Sequence, residues 1–475
     1  MLVLAVVAVR FWWGWRARSD LDATVAALRA AGSPVALADL ERSTTLADGE
    51  NAAWHYRVAG SLLEQAPKPD VYIEWPGEYP LTSEELASVG TVRSAAASAW
   101  GHMRQARSLK AVDWGARLQQ PIARVTLPHL QTAAELALAS GSVVLWEHQD
   151  GVDAAAVERL RDMLALGDWV AAGPRLESHR LRCGISDLVC DRIAQIAPDL
   201  GISPGASATQ PAAAESVRSL IGSLLDQRAL DRGLRDAVRV ERAVSVDTAE
   251  WLAARHPLVA PMFLREATRT ADIWDVAESA CQLDNWRAAS GKLHGRRQSP
   301  GTSPPAGAAA AQALSGIMSW PDADGTIKSH VRTVAYRRMA AIILAIRLYR
   351  LDHGDQFPPN LSALVPDYLP VLPLDPFASG TAAVKYRGPP TTRPMLYCVG
   401  ENGVDDGGER TPAGATTLTA TSSYSDAAYV LARRFDWRWY GQDAVVDLER
   451  QPRAPPLRID ELEWTLPTSR PTGDR

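Results

Sequence analysis

Apolar residues recur at steps of three and four through most of the chain between residues 19 and 295, and this spacing predicts amphipathic α-helices. Short segments that contain proline and glycine separate them. The predicted stretches lie at 50–65, 128–146, 175–197, 214–242 and 246–290, with further helices beginning at Ser19, Thr82 and Asp153. No fixed period repeats along this region, so we expect an α-helical bundle or an irregular solenoid.

Capping residues indicate where some of these helices begin and end. Ser19 precedes two aspartates and is predicted to be an N-cap, while Gly32 and the following Pro34 indicate the end of that helix. Thr82, with Glu85 three residues later, has the pattern of a capping box. These local signals predict helix boundaries but no chemistry.

The segment 331–351 carries the strongest helical pattern in the chain. Its apolar stripe consists of Val331, Val334, Ala335, Met339, Ile342, Ile343, Ile346 and Tyr349. The arginines are expected to lie largely away from that stripe: Arg332, Arg337, Arg338, Arg347 and Arg350. Because arginines this frequent exclude a membrane span, we predict an amphipathic helix that packs on protein.

The first residues form an unbroken apolar run from Leu2 to Val9, followed by Arg10 and a tryptophan-rich segment. A membrane span needs about 20 apolar residues, so the run is short for one. It has no basic leader before it. The tryptophans beside Arg16 and Arg18 are typical of a membrane interface. We predict that residues 1–18 are a membrane anchor, either truncated at its start or a short signal-anchor; a buried first helix is the alternative.

Composition divides the rest of the chain. Glycine, proline, serine and alanine without periodicity begin at residue 296 and indicate a linker at 296–330. We therefore predict an α-helical domain at 19–295 and a second domain at 331–449. The proline-rich residues 450–475 are expected to be a tail that is disordered or orders on contact.

Charge and cysteine content narrow the function classes. The 50 basic residues against 55 acidic ones give a net charge of −5, so nucleic acid is not an expected partner. Cys183 and Cys190 would lie about 10 Å apart along one helix, too far for a disulfide. No Cys-x-x-Cys pair is present, so zinc is not expected either. We expect buried free thiols.

No catalytic motif stands out. A P-loop, His-Glu-x-x-His and a dinucleotide-binding glycine set are each missing from the sequence, and the 9 histidines are dispersed. His129 lies on an apolar helix face and is predicted to be a core residue. Residues 147–150 are predicted to be exposed polar residues at a helix end, and 322–325 an ordinary turn. We therefore predict no catalytic residue, no cofactor-binding residue and no enzyme.

The C-terminal quarter carries a more specific order of motifs. A helix ends in a Leu-Tyr phrase with a later glycine, a Leu-Pro-x-Asp-Pro-Phe turn follows, and a tyrosine with two spaced glycines precedes an acidic Gly-Gly loop. The residues are Leu348, Tyr349 and Gly354; Leu372, Pro373, Asp375, Pro376 and Phe377; Tyr397, Gly400 and Gly403; and Gly407 with Gly408. This order over 331–449 resembles the globular head of type II secretion major pseudopilins. The resemblance implies an α+β domain in which the helix lies against a small antiparallel sheet made after Ala383.

Major pseudopilins bind calcium in the acidic loop, and the resemblance implies a Ca²⁺ site here. The side chains carried over by position are Asn402, Asp405 and Asp406, with Asp443 contributed by the last strand. Carboxylates and carbonyls on a glycine-rich loop suit the oxygen-rich coordination of Ca²⁺. An insertion at 410–440 separates Asp443 from the loop, and a simple hairpin turning at Asn402-Gly403 is the alternative.

The chain also departs from that family. Pseudopilins begin with the apolar helix after a peptidase site, whereas 330 residues precede the matching helix here, so the module is expected to be a reused head that is not built into a pilus. The region 30–59 resembles uncharacterised bacterial helical proteins with an N-terminal anchor. Its matching residues are Gly32, Pro34, Leu40, Glu50, Asn51, Ala52 and Ala53. Glu50 and Asn51 are expected to cap the next helix.

Together these patterns predict a mainly α protein followed by a smaller α+β, pseudopilin-like domain. We expect an envelope-associated structural or interaction protein, anchored in the membrane by its N-terminus, extracytoplasmic, and bound to a protein partner that the sequence does not identify. The alternatives are a hydrolase with its site in a cleft of the helical domain and an accessory component of a type II secretion-like system. A pocket of converging carboxylates or histidines would favour the enzyme, and a shallow apolar surface the interaction protein.

Overall fold

The computed structural model describes residues 2–40, 46–67, 79–116, 119–122, 125–173, 175–203, 209–283, 285–297, 323–391, 393–408 and 443–450. Most of the predicted linker at 296–330, the insertion at 410–440 and all of the predicted tail except Arg450 lie outside these ranges.

Helices dominate the described residues. They are α1 (Leu2–Ala30), α2 (Leu37–Leu40), α3 (Ala52–Glu64), α4 (Ser83–Ala95), α5 (Ala97–Ser108), α6 (His129–Gln149), α7 (Asp153–Val170), α8 (Leu176–Ile196), α9 (Ala214–Leu225), α10 (Arg228–Arg255), α11 (Ala260–Ala280), α12 (Trp286–Arg297) and α13 (Ala323–Asp352). The strands are β1 (Ile202–Ser203), β2 (Ala212–Ala213), β3 (Lys385–Arg387), β4 (Met395–Cys398) and β5 (Ala444–Asp447). The fold is therefore mainly α with a small α+β part, as the sequence predicted.

The first helix is longer than predicted. It runs unbroken through Ser19, so the prediction that Ser19 is an N-cap is wrong. The reason is tertiary: Ala17 and Leu21 pack with Phe263 of α11 in one apolar cluster, and this contact holds the helix together across the predicted start. The predicted end is confirmed, because Gly32 adopts a φ of +69° just after the last turn. Among the described residues, no helix combines the length and apolarity that crossing a membrane requires.

Two predicted stretches are each broken into separate helices. The stretch 214–242 is interrupted between α9 and α10, and 246–290 is interrupted after α10 and again after α11. The capping box at the start of α4 is confirmed, because Glu85 accepts a hydrogen bond from the Thr82 N–H at 2.7 Å and Thr82 accepts one from the Glu85 N–H. The Asn51 side chain caps α3 as predicted, accepting from the Ala53 N–H at 3.0 Å.

Helix α13 lies at the centre of the molecule. It packs against α8 and α9 and also touches β4, so it is buried on nearly every side from Thr326 to Leu348. The expectation that its arginines lie away from the buried stripe is wrong for Arg332 and Arg337, which are 5% and 4% exposed. Arg337 is compatible with burial because it donates hydrogen bonds to backbone carbonyls at the end of α9, including that of Ser223 at 2.6 Å.

A three-stranded antiparallel sheet stands beside this helix within the described ranges, in the order β3-β4-β5. Leu396 in the central strand pairs with Tyr386 on one side and Val446 on the other. The expected strands after Ala383 are therefore present. One contiguous apolar core contains Leu396, Ile342 of α13 and Leu188 of α8, so the sheet, the central helix and the upstream helices share it. The predicted division into two domains stays a prediction.

Candidate functional site

The acidic loop from Gly400 to Gly408 follows the central strand of the sheet. Three of its glycines, Gly403, Gly407 and Gly408, have φ values of +68°, +75° and +77°, which residues with a Cβ rarely adopt. The Asn402 amide donates to Asp406 Oδ2 at 3.0 Å, and Asp405 Oδ1 accepts from the Gly407 N–H at 3.1 Å. The loop is thus held by its own polar side chains.

Asp443 reaches this loop in spite of the insertion. Its Oδ2 accepts a hydrogen bond from the Gly408 N–H at 2.7 Å, while its Oδ1 is buried and has no hydrogen-bond partner among the described residues. Burial raises the pKa of Asp443, the N–H groups of Gly408 and Asp406 act in the opposite direction, and the charges of Asp406 and Asp405 add to the increase. The carboxylates of Asp405, Asp406 and Asp443 do not lie within 4.8 Å of one another as a group, so the buried Oδ1 of Asp443 is the one observation here that a bound cation would account for.

Three basic side chains form ion pairs with the same loop. Lys385 Nζ lies 3.4 Å from Asp405 Oδ2. Glu401 is turned away towards α13, where it pairs with Arg332 and with Lys328 at 3.2 Å. The structure therefore brings together the predicted residues Asn402, Asp405, Asp406 and Asp443 at one edge of the sheet, and Lys385 already neutralises part of their charge.

The Leu-Pro-x-Asp-Pro-Phe turn is joined to the same edge through Asp375. Its buried carboxylate accepts hydrogen bonds from the Phe377 N–H at 2.9 Å and from the Val399 N–H at 2.7 Å. Burial raises the pKa of Asp375, and these N–H groups act in the opposite direction. One side chain thus links the turn after α13 to the start of the acidic loop.

A second feature is the set of exposed apolar side chains on the first turns of the first helix, which we call the α1 apolar surface. It consists of Val3, Leu4, Val7, Val9, Phe11, Trp12 and Trp15, each an exposed large apolar residue, and it adjoins the exposed Leu258 and Val259. Arg10 connects the two parts, because its guanidinium donates to the carbonyls of Pro257 and of Leu258, the latter at 3.1 Å. The helix is docked on the fold from Arg10 onwards, and the described side chains before Arg10 are exposed.

A cleft of about 360 Å³ lies in the helical region between α1, α10 and Gln120. Its carboxylates are Asp22, Asp247 and Glu250. Asp247 accepts hydrogen bonds from the Gln120 side chain at 3.1 Å and from the Ile122 N–H at 2.9 Å. Arg18 lies 2.8 Å from Glu250 and 3.9 Å from Asp22. Each of the three carboxylates therefore already has a hydrogen-bonding or ionic partner.

The polar run at 147–150 lies at the end of α6 as predicted, but only Asp150 of the four residues is exposed. Glu147 and His148 are buried, because both face the neighbouring helix α7. Glu147 pairs with Arg159 at 2.6 Å, and His148 Nδ1 lies 2.5 Å from Asp153. The hydrogen bonds and charges of the aspartates around His148 outweigh the effect of burial and raise its pKa.

Two smaller predictions have different outcomes. His129 is buried and stacks on Trp114 at 4.6 Å between ring centroids, and burial lowers its pKa to about 4, so it is a neutral core residue near pH 7. The predicted turn at 322–325 is wrong for Asp324 and Gly325, which lie in the first turn of α13, while Asp322 lies outside the described residues.

The sequence did not single out a third constellation. His179, Cys183 and His330 are all buried and offer ligand atoms that lie within 4.8 Å of one another, the one such group of histidine, cysteine and acidic residues among those described. All four cysteines are free; Cys183, Cys190 and Cys398 are buried as expected, and Cys281 is only partly buried. The only local signal was a histidine four residues before a cysteine on α8, because His330 arrives from α13.

A scan of protein-family models, a search of curated proteins and a search of solved structures each found no match to this chain.

Proposed function

We propose that this chain is an envelope-associated interaction protein that binds a lipid surface through the α1 apolar surface. The observation that carries the proposal is the exposure of large apolar side chains along the first turns of α1, beside exposed Leu258 and Val259. Large apolar side chains exposed together on one element of a folded protein are typical of a binding surface.

The composition of this surface favours a membrane interface as its occupant. Trp12 and Trp15 are 63% and 66% exposed, and tryptophan prefers the boundary between hydrocarbon and headgroups. Arg16 follows directly; it pairs with Asp20 but remains largely exposed, so it can also interact with anionic headgroups, whereas Arg18 pairs with Glu250. Arg10 binds the loop between α10 and α11. The exposed start of α1 and this loop would therefore contact the lipid together.

A vesicle-flotation assay on the full chain tests this proposal. The parent protein is expected to float with vesicles of phosphatidylcholine and phosphatidylglycerol. The triple variant Phe11→Ser, Trp12→Ser, Trp15→Ser should bind at least tenfold more weakly, since burying each such side chain contributes roughly 1.5–3 kcal/mol. A matched control, Val371→Ser with Leu374→Ser, removes exposed apolar residues elsewhere and should float like the parent. A parent that stays unbound, or a triple variant that floats equally well, would contradict the proposal.

We further propose that the C-terminal part is a reused pseudopilin-like head. Three features support the resemblance: a long helix beside an antiparallel sheet, motif glycines with positive φ, and Asp375 joining its turn to the end of β4. The partner that the head would bind is a protein. An accessory role in a type II secretion-like system remains a fold analogy, and an enzyme would have to use the cleft whose carboxylates already have partners.

The head would bind Ca²⁺ at the acidic loop through Asn402, Asp405, Asp406 and Asp443. The fit rests on the orphaned Oδ1 of Asp443 and on the glycine-rich loop, whose carbonyls could complete an oxygen-rich site. When bound, the ion would neutralise the carboxylates and order the loop. Lys385 opposes it and would have to move away from Asp405.

Thermal unfolding of the full chain with Ca²⁺, with Mg²⁺ and with chelator tests the calcium proposal. Ca²⁺ at 100 times its Kd should stabilise the parent by about 2.7 kcal/mol, whereas the Asp405→Asn, Asp406→Asn variant should not respond. Asp367→Asn, an exposed carboxylate outside the loop, is the control and should respond like the parent. Equal shifts with Mg²⁺, or an unchanged response in the double variant, would refute a calcium site.

A further inference from the structure

The core between α8 and α13 contains a group of polar side chains that the proposed function does not use. His179 and Cys183 lie one turn apart on α8, and His330 faces them from α13. All three are more than nine-tenths buried, with exposures of 1%, 1% and 8%. The rings of the two histidines lie 5.4 Å apart between centroids. We propose that His179, Cys183 and His330 bind a divalent transition metal of the zinc class.

The spacing on α8 suits such an ion. His179 Nε2 lies 3.6 Å from Cys183 Sγ. With a zinc–nitrogen bond of about 2.0–2.1 Å and a zinc–sulfur bond of about 2.3 Å, tetrahedral coordination places the two donor atoms about 3.6 Å apart. Residues four apart lie on the same face of a helix, so the pair can reach one ion without distorting α8.

His330 is oriented for the same role by an acidic partner. Its Nε2 lies 3.1 Å from Asp231 Oδ1 on α10, and its Nδ1 is buried with no hydrogen-bond partner among the described residues. A metal-binding histidine usually donates its second N–H to a carboxylate, which fixes the ring and the tautomer. Asp231 can supply that orientation and leave Nδ1 as the ligand atom.

The alternative to a metal site is an ordinary core in which the Cys183 thiol and His179 share a weak hydrogen bond. That reading leaves His179 Nδ1 and His330 Nδ1 both buried and unpartnered within the described part of the chain. Buried polar atoms of this kind cost stability. An ion bound to His330 Nδ1 would give one of these two atoms a partner. His179 Nδ1 instead faces Gly233, whose lack of a side chain leaves room for the ring.

The charges around the group do not prevent binding. Arg182 pairs with Asp168 and donates to the carbonyl of Ala229 at 2.8 Å, and Arg337 donates to carbonyls at the end of α9. A thiolate at Cys183 would bring one negative charge to the ion, and Asp231 would stand next to His330. The ligand atoms lie within 4.8 Å of one another, so they would have to move closer together to coordinate one ion.

Metal content of the full chain, purified after growth with added zinc, is the first measurement. We expect about one zinc ion per chain in the parent. Cys183→Ser should lower the content at least tenfold. Cys190→Ser is the matched control, because Cys190 is buried on the same helix, outside the group, and this variant should retain the ion.

Cobalt substitution gives a spectroscopic signal that appears only if Cys183 binds the metal directly, and not if it has a purely structural role. Co²⁺ added to the metal-free parent should produce a thiolate-to-cobalt charge-transfer band, absent in Cys183→Ser and present in Cys190→Ser. Asp231→Asn should keep the band but weaken Co²⁺ binding by roughly 10–100-fold, as expected for loss of an orienting carboxylate. If the parent takes up neither Zn²⁺ nor Co²⁺, or if Cys183→Ser, His330→Gln and the parent hold metal equally well, the proposal is overturned.

Discussion

At the scale of single residues, buried charges in this protein have specific partners. Glu147, whose side chain is 1% exposed, contacts Arg159 at 2.6 Å and Arg93 at 3.3 Å. Each guanidinium also lies over a tryptophan ring, Arg159 over Trp100 and Arg93 over Trp146. The two arginines thus neutralise the carboxylate and at the same time pack on apolar surface.

Removing that carboxylate should therefore be costly. Glu147→Ala leaves a buried guanidinium without its anion, and we expect the free energy of unfolding to fall by about 3–5 kcal/mol. Denaturant unfolding followed by circular dichroism measures the change. Glu135→Ala on the same helix is the control: its partner is Gln131 at 2.6 Å, and it should cost less than about 1 kcal/mol. Similar losses in both variants would show that the ion pair has no special weight.

Residue-scale features were predictable where they depend on neighbours in sequence. The capping box of Thr82 and Glu85 is confirmed because both partners lie within one turn. Asn51 was predicted as a cap, but its hydrogen bonds to a segment distant in sequence could not be predicted. Its amide also donates to the Asp113 carbonyl at 2.9 Å and its oxygen accepts from the Asp113 N–H, so it joins two segments that only the fold brings together.

At the scale of elements, the existence of helices was predicted better than their ends and faces. Ser19 looks like a start signal, yet packing of α1 on α11 carries the helix through it. In α13 the apolar stripe was correct, but a pattern of one stripe cannot reveal that a helix is covered on both sides. Both Arg332 and Arg337 can be buried because Arg332 forms an ion pair with Glu401 and Arg337 donates hydrogen bonds to backbone carbonyls of α9.

The two candidate metal sites show the same limit. The acidic loop is a continuous stretch, so its residues could be named from the motif order, and the antiparallel pairing of β4 with β5 brings Asp443 to it. The group of His179, Cys183 and His330 depends on how α8 packs against α13. A search for Cys-x-x-Cys spacing could not find it, and a histidine and a cysteine one turn apart are by themselves a weak signal.

At the scale of the whole molecule, α13 makes the C-terminal sheet and the upstream helices parts of one structure. Ile342 of α13 is fully buried and belongs to a contiguous core that includes Leu188 of α8 and Leu396 of β4. A continuous core favours cooperative unfolding, whereas two independent cores would unfold separately. The prediction of domains at 19–295 and 331–449 can be tested on this point.

Two buried thiols can be used to follow unfolding of the upstream helices and of the C-terminal sheet separately. Cys190 lies on α8 and Cys398 on β4, and both should be protected from alkylation in the native protein. With rising denaturant, we expect both to become reactive at the same concentration, as followed by mass spectrometry of the labelled peptides. Ile342→Ala should lower the free energy of unfolding by about 2–5 kcal/mol and move both transitions together, because the cavity lies in the shared core. If Cys398 reacts well before Cys190, and Ile342→Ala shifts only one of them, the sheet region is a separate domain.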